Sequence, residues 1–160
     1  MKLGIISDSH DHIPNIKKAL EIFQNQGCEK FLHCGDYCSP FVLKLFKDFG
    51  IPFIGVFGNN DGELLFLSKM AQGIGEIKKG PIELEISSRK IALMHEPVYL
   101  EALRGSKHFD IVIYGHLHQA HLDLNPPLLI NPGECCGYLS GKPTVAIVDL
   151  TDLSARVIEI

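Results

Sequence analysis

The chain has 160 residues, 46% hydrophobic and 21% charged, close to the ordinary soluble average, which excludes a disordered tail, a collagen-like rod or a coiled coil as its main body. A chain of this size buries roughly two-thirds of the surface its unfolded form exposes, so residues 1–160 are expected to form a single domain without staples. The formal charge of −4 leaves no basic excess to neutralise a phosphate backbone, so no extensive nucleic-acid surface is expected.

Residues 2–7 are apolar on both sides of a strand, as in a sheet covered on both faces. Ile13, Ile16, Leu20 and Phe23 recur at three and four, which predicts an amphipathic helix over 14–26 with Gly27 just past its end. Residues 30–34 read as the next strand. Ser39 and Pro40 supply a hydroxyl cap and a first-turn proline for a helix that Gly50 closes. Residues 51–57 make a third strand that runs into Gly58-Asn59-Asn60-Asp61, after which Leu64, Leu65, Phe66, Leu67 and Met70 indicate another helix. This βαβαβ order belongs to a mainly parallel sheet. Beyond it, Ile82, Leu84 and Ile86 alternate with Glu83 and Glu85, a strand with one wet face, and 90–94 returns beside it. Further strands are expected at 110–114, 119–124, 128–130, 144–150 and 155–160. One sheet of so many strands would curl or split, which favours an α/β architecture of two packed sheets with helices on the outer faces.

The apolar runs are short and Asp8, His10 and Asp11 follow the first at once, so neither a signal peptide nor a membrane span is read, and the cytoplasm is the expected compartment. Five cysteines, an odd number without a CxxC pair, argue against a disulfide framework. Cys34 and Cys38 are spaced as metal ligands can be, but they are read instead as one buried thiol and one near a loop.

The unusual polar residues collect after strands: Asp8 and His10, Asp36, Asn59, His95, and His116 with His118. The carboxyl ends of parallel strands are where an open α/β sheet binds ligands, because loops distant in sequence converge there. Taken singly, each Asp or Asn could be a helix cap or turn former and each His a satisfied core or surface residue. Those readings give no reason for the glycines in Gly35-Asp36, Gly58-Asn59 and Gly115-His116, which allow a tight turn and a close backbone approach. Together the side chains offer imidazole nitrogens, carboxylates and an amide oxygen. That is too many donors for one tetrahedral ion and a number suited to two five- or six-coordinate ions such as Mn²⁺, Fe²⁺, Zn²⁺ or Ni²⁺.

Asp8-Ser9-His10, Gly35-Asp36, Gly58-Asn59-Asn60-Asp61, His95 and Gly115-His116-Leu117-His118 occur in the order of the calcineurin-like metallophosphoesterase motifs, and the chain resembles the small YfcE-type branch of that superfamily. The resemblance implies a four-layer αββα sandwich, two mixed β-sheets flanked by helices. It also implies a dinuclear centre in which Asp8, His10 and His118 hold one ion, Asn59, His95 and His116 the other, and Asp36 bridges them. Its implied activity is phosphodiester hydrolysis by a metal-bridging hydroxide, with manganese or nickel the expected activators. Two dications, two carboxylates and a hydroxide leave about +1 at the site, which suits a small phosphodiester anion even on an acidic protein. A homodimer is left open.

Many members of the superfamily carry a histidine after the metal-binding asparagine, where it protonates the leaving oxygen; here that residue is Asn60, an amide that donates a hydrogen bond but is no general acid. Asn60 is therefore expected to orient a phosphate oxygen, and the activity to favour diesters or activated esters. His12 and His33 are read as surface or core residues, and Asp11 and Asp61 as loop formers or partners of ligand histidines. The segment Asn131-Pro132-Gly133-Glu134-Cys135-Cys136-Gly137 resembles a loop of the family that often continues with serine; Glu134 in that place either repels a dianion or makes a turn or ion pair, and the two cysteines pack. The alternative reading is a non-catalytic binding scaffold like the eukaryotic retromer subunit on the same fold, in which metal ligands are degraded, whereas every ligand position here keeps a donor.

Overall fold

In the computed structural model, which describes all 160 residues, β1 (Lys2–Ile6) turns Leu3 and Ile5 into one apolar cluster and Ile6 into another, so both faces of the strand are covered. The chain continues through α1 (Ile13–Asn25), β2 (Lys30–His33), α2 (Val42–Phe49), β3 (Phe53–Val56), α3 (Leu64–Ala71) and β4 (Gly75–Lys78). It then forms β5 (Ile82–Ile86), β6 (Arg89–Leu93), α4 (Leu100–Ser106), β7 (Ile111–Ile113), β8 (His121–Asp123), β9 (Leu128–Asn131), β10 (Thr144–Asp149) and β11 (Ala155–Glu159).

The first sheet has the order β11-β10-β1-β2-β3-β4 and the second β5-β6-β7-β9-β8. In the first, β1 to β4 run parallel while β10 pairs antiparallel with β1; in the second, β6, β7 and β9 run parallel between antiparallel edges. Leu3, Ile5, Leu32 and Val56 meet Ile91, Leu93, Ile113 and Ile130 between the sheets. On the outer face of the first sheet, Phe31 is central to the packing of α1 and α2, with Phe46 at 5.0 Å and Phe53 at 5.2 Å between ring centroids. Truncating such a buried ring to alanine costs about 3–5 kcal/mol. On the far side, Leu100, Leu103 and Phe109 cover Met94, Val112 and Tyr114 of the second sheet. The layers are therefore helices, sheet, sheet, helix, the αββα sandwich expected from the motifs.

Two elements carried no usable pattern. β4 is a short edge strand in which only Ile77 is buried, and α4 has no fully buried residue from which a stripe could be read. The start of α2 is a correction: the helix begins at Val42 without a side-chain cap, and Ser39 instead donates its amide and hydroxyl to Asp11 Oδ1 at 3.1 and 2.7 Å. An ionised carboxylate accepts more strongly than a serine hydroxyl does, and it captures the serine first. Gly50 ends the helix in the left-handed region, φ 68°, as expected.

For function the important consequence is directional. The carboxyl ends of β1, β2 and β3 lie side by side in one sheet and those of β6 and β7 side by side in the other, and the loops leaving all five meet along one edge of the sandwich.

Candidate metal centre

Asp8 and His10 follow β1, Asp36 follows β2, Asn59 and Asn60 follow β3, His95 follows β6, and His116 and His118 follow β7. The structure brings all of them to that one edge. Asp8, His10, Asp36, His116 and His118 have left-handed backbones, with φ of 50°, 39°, 60°, 68° and 55°. Such angles are uncommon outside glycine and persist only where the surroundings impose them. Here Asp8 N donates to Gly35 O at 3.1 Å, His10 N to Asp36 O at 3.0 Å, and His116 N to Asp8 Oδ2 at 3.1 Å. The glycines beside these residues give room for that approach: a Cβ on Gly58 would lie 2.1 Å from Asp36 Oδ1, and one on Gly115 would lie 1.9 Å from Ser7 Oγ.

Two residues outside the centre clamp these loops. Asp61 accepts from the amides of Gly58 at 2.7 Å, Cys38 at 2.8 Å and Asp36 at 3.2 Å, tying the β2 and β3 loops together. It serves as a loop former and no candidate histidine bonds to it. His33, fully buried, accepts from Gly35 N through Nδ1 at 3.1 Å, so its Nε2 carries the hydrogen and donates to Ser9 Oγ at 3.0 Å. That joins the β1 and β2 loops, a structural place that agrees with the core role expected for His33. His12 caps α1, its Nδ1 accepting from Asn15 N at 3.2 Å.

Around the first half of the centre, Asp8, His10, Asp36 and His118 present ligand atoms that all lie within 4.8 Å of one another. Asp8 Oδ1 and His10 Nε2 are buried without any hydrogen-bond partner. His118 Nδ1 lies 2.7 Å from Glu134 Oε2. Burial alone would push the Glu134 carboxyl up, but hydrogen bonds from His118, Ser140 and Leu139 outweigh it and bring it down to about 2, so it is ionised and can only accept. A hydrogen of His118 therefore sits on Nδ1, and its Nε2 is turned toward Asp8 Oδ1 at 3.4 Å. A neutral His118 would present a lone pair to Asp8 Oδ1 there, an arrangement suited to a cation between them. Burial pushes the Asp8 carboxyl up, a cost that a cation beside it would offset.

The second half repeats the logic. His95 Nδ1 donates to Cys34 O at 2.8 Å, since a carbonyl can only accept, and its Nε2 lies 2.8 Å from Asn59 Oδ1 and 3.5 Å from Asp36 Oδ2. His116 Nδ1 approaches the same Asn59 oxygen at 2.9 Å and His95 Nε2 at 3.3 Å. Asp36 Oδ2 also lies 3.5 Å from His10 Nε2, so this one oxygen stands between the two histidine groups. The donor set, imidazole nitrogens with carboxylate and amide oxygens, fits divalent ions of borderline hardness.

Asn60 is differently placed from its expected post at the phosphate: its backbone amide and side-chain Nδ2 both donate to Asp36, at 2.8 Å each. Glu134 is fully buried and accepts from His118 and from the amides of Leu139 and Ser140, so repulsion of a dianion drops out and the turn-forming role holds. Its partnership with His118 was not foreseen as an orienting contact; the one available signal was a carboxylate standing where the family loop often has serine. Cys135 packs in the helix-side core, while Cys136 Sγ donates to Glu134 Oε2 at 3.3 Å and lies near His10 and His118. Cys38 Sγ is 3.2 Å from His10 Nδ1, Cys34 is buried between the sheets, and all the cysteines are free.

Comparison with known proteins gives the same direction. The sequence model of the calcineurin-like phosphoesterase superfamily domain matches residues 1–153. The chain is 45% identical over 154 residues to Phosphodiesterase MJ0936 of Methanocaldococcus jannaschii, covering 93% of each. Among solved structures, that of an archaeal phosphodiesterase aligns over the whole of both chains with a TM-score of 0.94 and 42% identity. Vacuolar protein sorting 29 from Cryptosporidium parvum, at a TM-score of 0.71 and 20% identity over 99% of this chain and 96% of that one, shares the fold. So does the YfcE phosphoesterase of E. coli, at 0.67 and 20% over the whole of both chains. On the strength of the family match and the identity to its archaeal relative, the chain belongs to the calcineurin-like phosphoesterase superfamily.

Proposed function

We propose that residues 1–160 form one catalytic domain that hydrolyses small phosphodiesters with two divalent cations. The observation that carries this reading is the convergence of His10 Nε2 and His95 Nε2 on Asp36 Oδ2, each at 3.5 Å, with Asp8 Oδ1 and His10 Nε2 buried and without a hydrogen-bond partner. Asp8, His10, Asp36 and His118 would hold one ion and Asp36, Asn59, His95 and His116 the other. When bound, such a pair lowers the pKa of water enough to make hydroxide available near neutral pH and takes up the charge that develops on phosphoryl oxygens.

The chain's own residues do the rest. Glu134 and the Cys34 carbonyl fix the tautomers of His118 and His95, so that lone pairs face the ions. Asn60 holds Asp36 in place through its backbone amide and Nδ2, a neutral amide in the position where many members of the superfamily have a histidine. Without an acid to protonate a poor leaving group, the site favours diesters and activated esters. Mn²⁺ or Ni²⁺ suits the mixed nitrogen and oxygen donors, with Fe²⁺ or Zn²⁺ as alternatives. Five free thiols support a reducing compartment, the cytoplasm. No helix is long and apolar enough to cross a membrane.

The test is hydrolysis of bis(p-nitrophenyl) phosphate against p-nitrophenyl phosphate by protein loaded with Mn²⁺ or Ni²⁺. The diester is expected to react faster by about tenfold or more. Equal or reversed rates would contradict the role given to Asn60, and no hydrolysis of either would favour the scaffold reading.

A further inference from the structure

A groove of about 570 Å³ opens directly beside the centre, and Asn59 and His95 line it as well as the metal site. Its apolar walls are Phe57, Leu64, Met94 and Val98. They come from the end of β3, the start of α3 and the loop after β6, three segments that adjoin the centre. The turn at Gly80 and Pro81 closes another side. It packs against the sheet, where a Cβ on Gly80 would lie 3.2 Å from Val56 Cγ1, so this wall is held in place.

Two features of the groove restrict what it can hold. Its volume is in the range of sites that enclose most of a small organic ligand, far more than a phosphate needs. Its charged lining residues, Lys79 and Glu96, have opposite signs, so the groove as a whole has no net charge with which to attract a second phosphate. Leu64 and Val98 remain 45% and 37% exposed, apolar surface that an occupant would remove from water.

We propose that this groove seats one ester arm of the diester and selects an uncharged, ring-bearing arm of nucleoside size, whose flat face lies on the apolar wall while Lys79 and Glu96 offer a donor and an acceptor to its polar edge. The inference rests on the phosphodiesterase reading and names the class of substrate that the same centre takes. It also accounts for a preference for diesters that is independent of Asn60, because a monoester with a small leaving group has nothing to place in the groove.

The experiment compares three diesters that share a p-nitrophenolate leaving group and differ in the other arm: methyl, phenyl and thymidine 5′. With Mn²⁺-loaded protein, kcat/KM is expected to rise from methyl to phenyl and thymidine by about tenfold or more. The double substitution Leu64→Ser with Val98→Ser is expected to reduce that ratio by about tenfold, the loss corresponding to removal of a modest apolar contact. Comparing this ratio between the wild type and the double variant cancels the intrinsic reactivity of each ester. A second readout needs no variant: in the Zn²⁺-loaded wild type, thymidine 5′-monophosphate is expected to shift the methyl NMR signals of Leu64, Met94 and Val98, and inorganic phosphate to leave them in place. Equal kcat/KM for the three arms, a ratio unmoved by the double substitution, or methyl signals that thymidine 5′-monophosphate does not shift would overturn the groove assignment and leave the phosphodiesterase reading intact. Failure to hydrolyse any of the three would overturn that reading, and the groove assignment with it.

Discussion

Glu134→Gln tests the logic of the centre without touching a residue proposed to bind an ion. The wild-type carboxylate accepts from His118 Nδ1 and Cys136 Sγ through Oε2 and from the amides of Leu139 and Ser140 through Oε1. A glutamine of the same shape keeps Oε1 as an acceptor for the two amides but replaces Oε2 with a donor. Facing that donor, His118 must move its hydrogen to Nε2, which removes the lone pair now aimed at Asp8 Oδ1 from 3.4 Å. Loss of such a supporting partner costs about 10–100-fold in metal affinity, or about 1.4–2.8 kcal/mol. Calorimetric titration of the metal-free protein with Mn²⁺ reads this directly, and the substitution should weaken one of two binding events and leave the other near its wild-type value. Glu96→Gln, an exposed change of the same charge, is the control. An unchanged Mn²⁺ affinity in Glu134→Gln, or an equal loss in Glu96→Gln, would refute the argument that Glu134 sets the His118 tautomer.

Asp36→Ala should abolish the rise in thermal midpoint expected of the wild type with Mn²⁺, because both ions would share this carboxylate, and a retained rise in a thermal-shift titration would count against bridging. Asp61→Ala deprives three partly buried amides of their acceptor and should destabilise the fold by about 3 kcal/mol in urea unfolding, with loss of activity; a fully stable, active variant would show that the clamp is idle. Asn60→His supplies the missing acid and should raise hydrolysis of p-nitrophenyl phosphate, general acid catalysis being worth about 10²–10⁴ in rate, and no gain would mean that another step limits the monoester. Acid should destabilise the protein in two windows. Burial holds His33 well below its ordinary 6.5, so below that pH the unfolded chain takes up a proton that the folded one refuses, and stability falls by about 1.4 kcal/mol per pH unit. Glu134, held at about 2 against an ordinary 4.5, adds a second loss of the same sign as pH falls from 4.5 toward 2. Urea midpoints that stay flat from pH 7 to 5 in metal-free protein would contradict the burial of a neutral His33.

The positions of the candidate donors were legible because each sits just after a strand and because the strands' own order makes their ends neighbours. Asp8, Asp36 and Asn59 follow β1, β2 and β3, which are adjacent in the first sheet, and His95 and His116 follow β6 and β7, adjacent in the second. Glycine beside these residues was also informative, since the Cβ atoms that Gly58 and Gly115 lack would overlap Asp36 and Ser7. What escaped the sequence has a common physical cause, the dependence on partners brought in from elsewhere. The Ser39 hydroxyl looked like a helix cap until Asp11, 28 positions away, claimed it. Glu134 gained its meaning only from His118, and the Asn60 amide only from Asp36. The groove has no motif at all, because Phe57, Leu64, Met94 and Val98 are ordinary apolar residues that become a wall only when three separate segments assemble. β4 and α4, one at a sheet edge and the other resting lightly on the second sheet, bury too little to leave a periodic trace.

The most direct measurement is anomalous diffraction from crystals grown or soaked with Mn²⁺, recorded at the manganese absorption edge. Two peaks are predicted about 3.5–4 Å apart with Asp36 Oδ2 between them, one among Asp8, His10 and His118 and the other among Asn59, His95 and His116. A single peak drawn instead to His10, His118 and Cys136, or no peak at all with these side chains in their present positions, would contradict a two-ion centre.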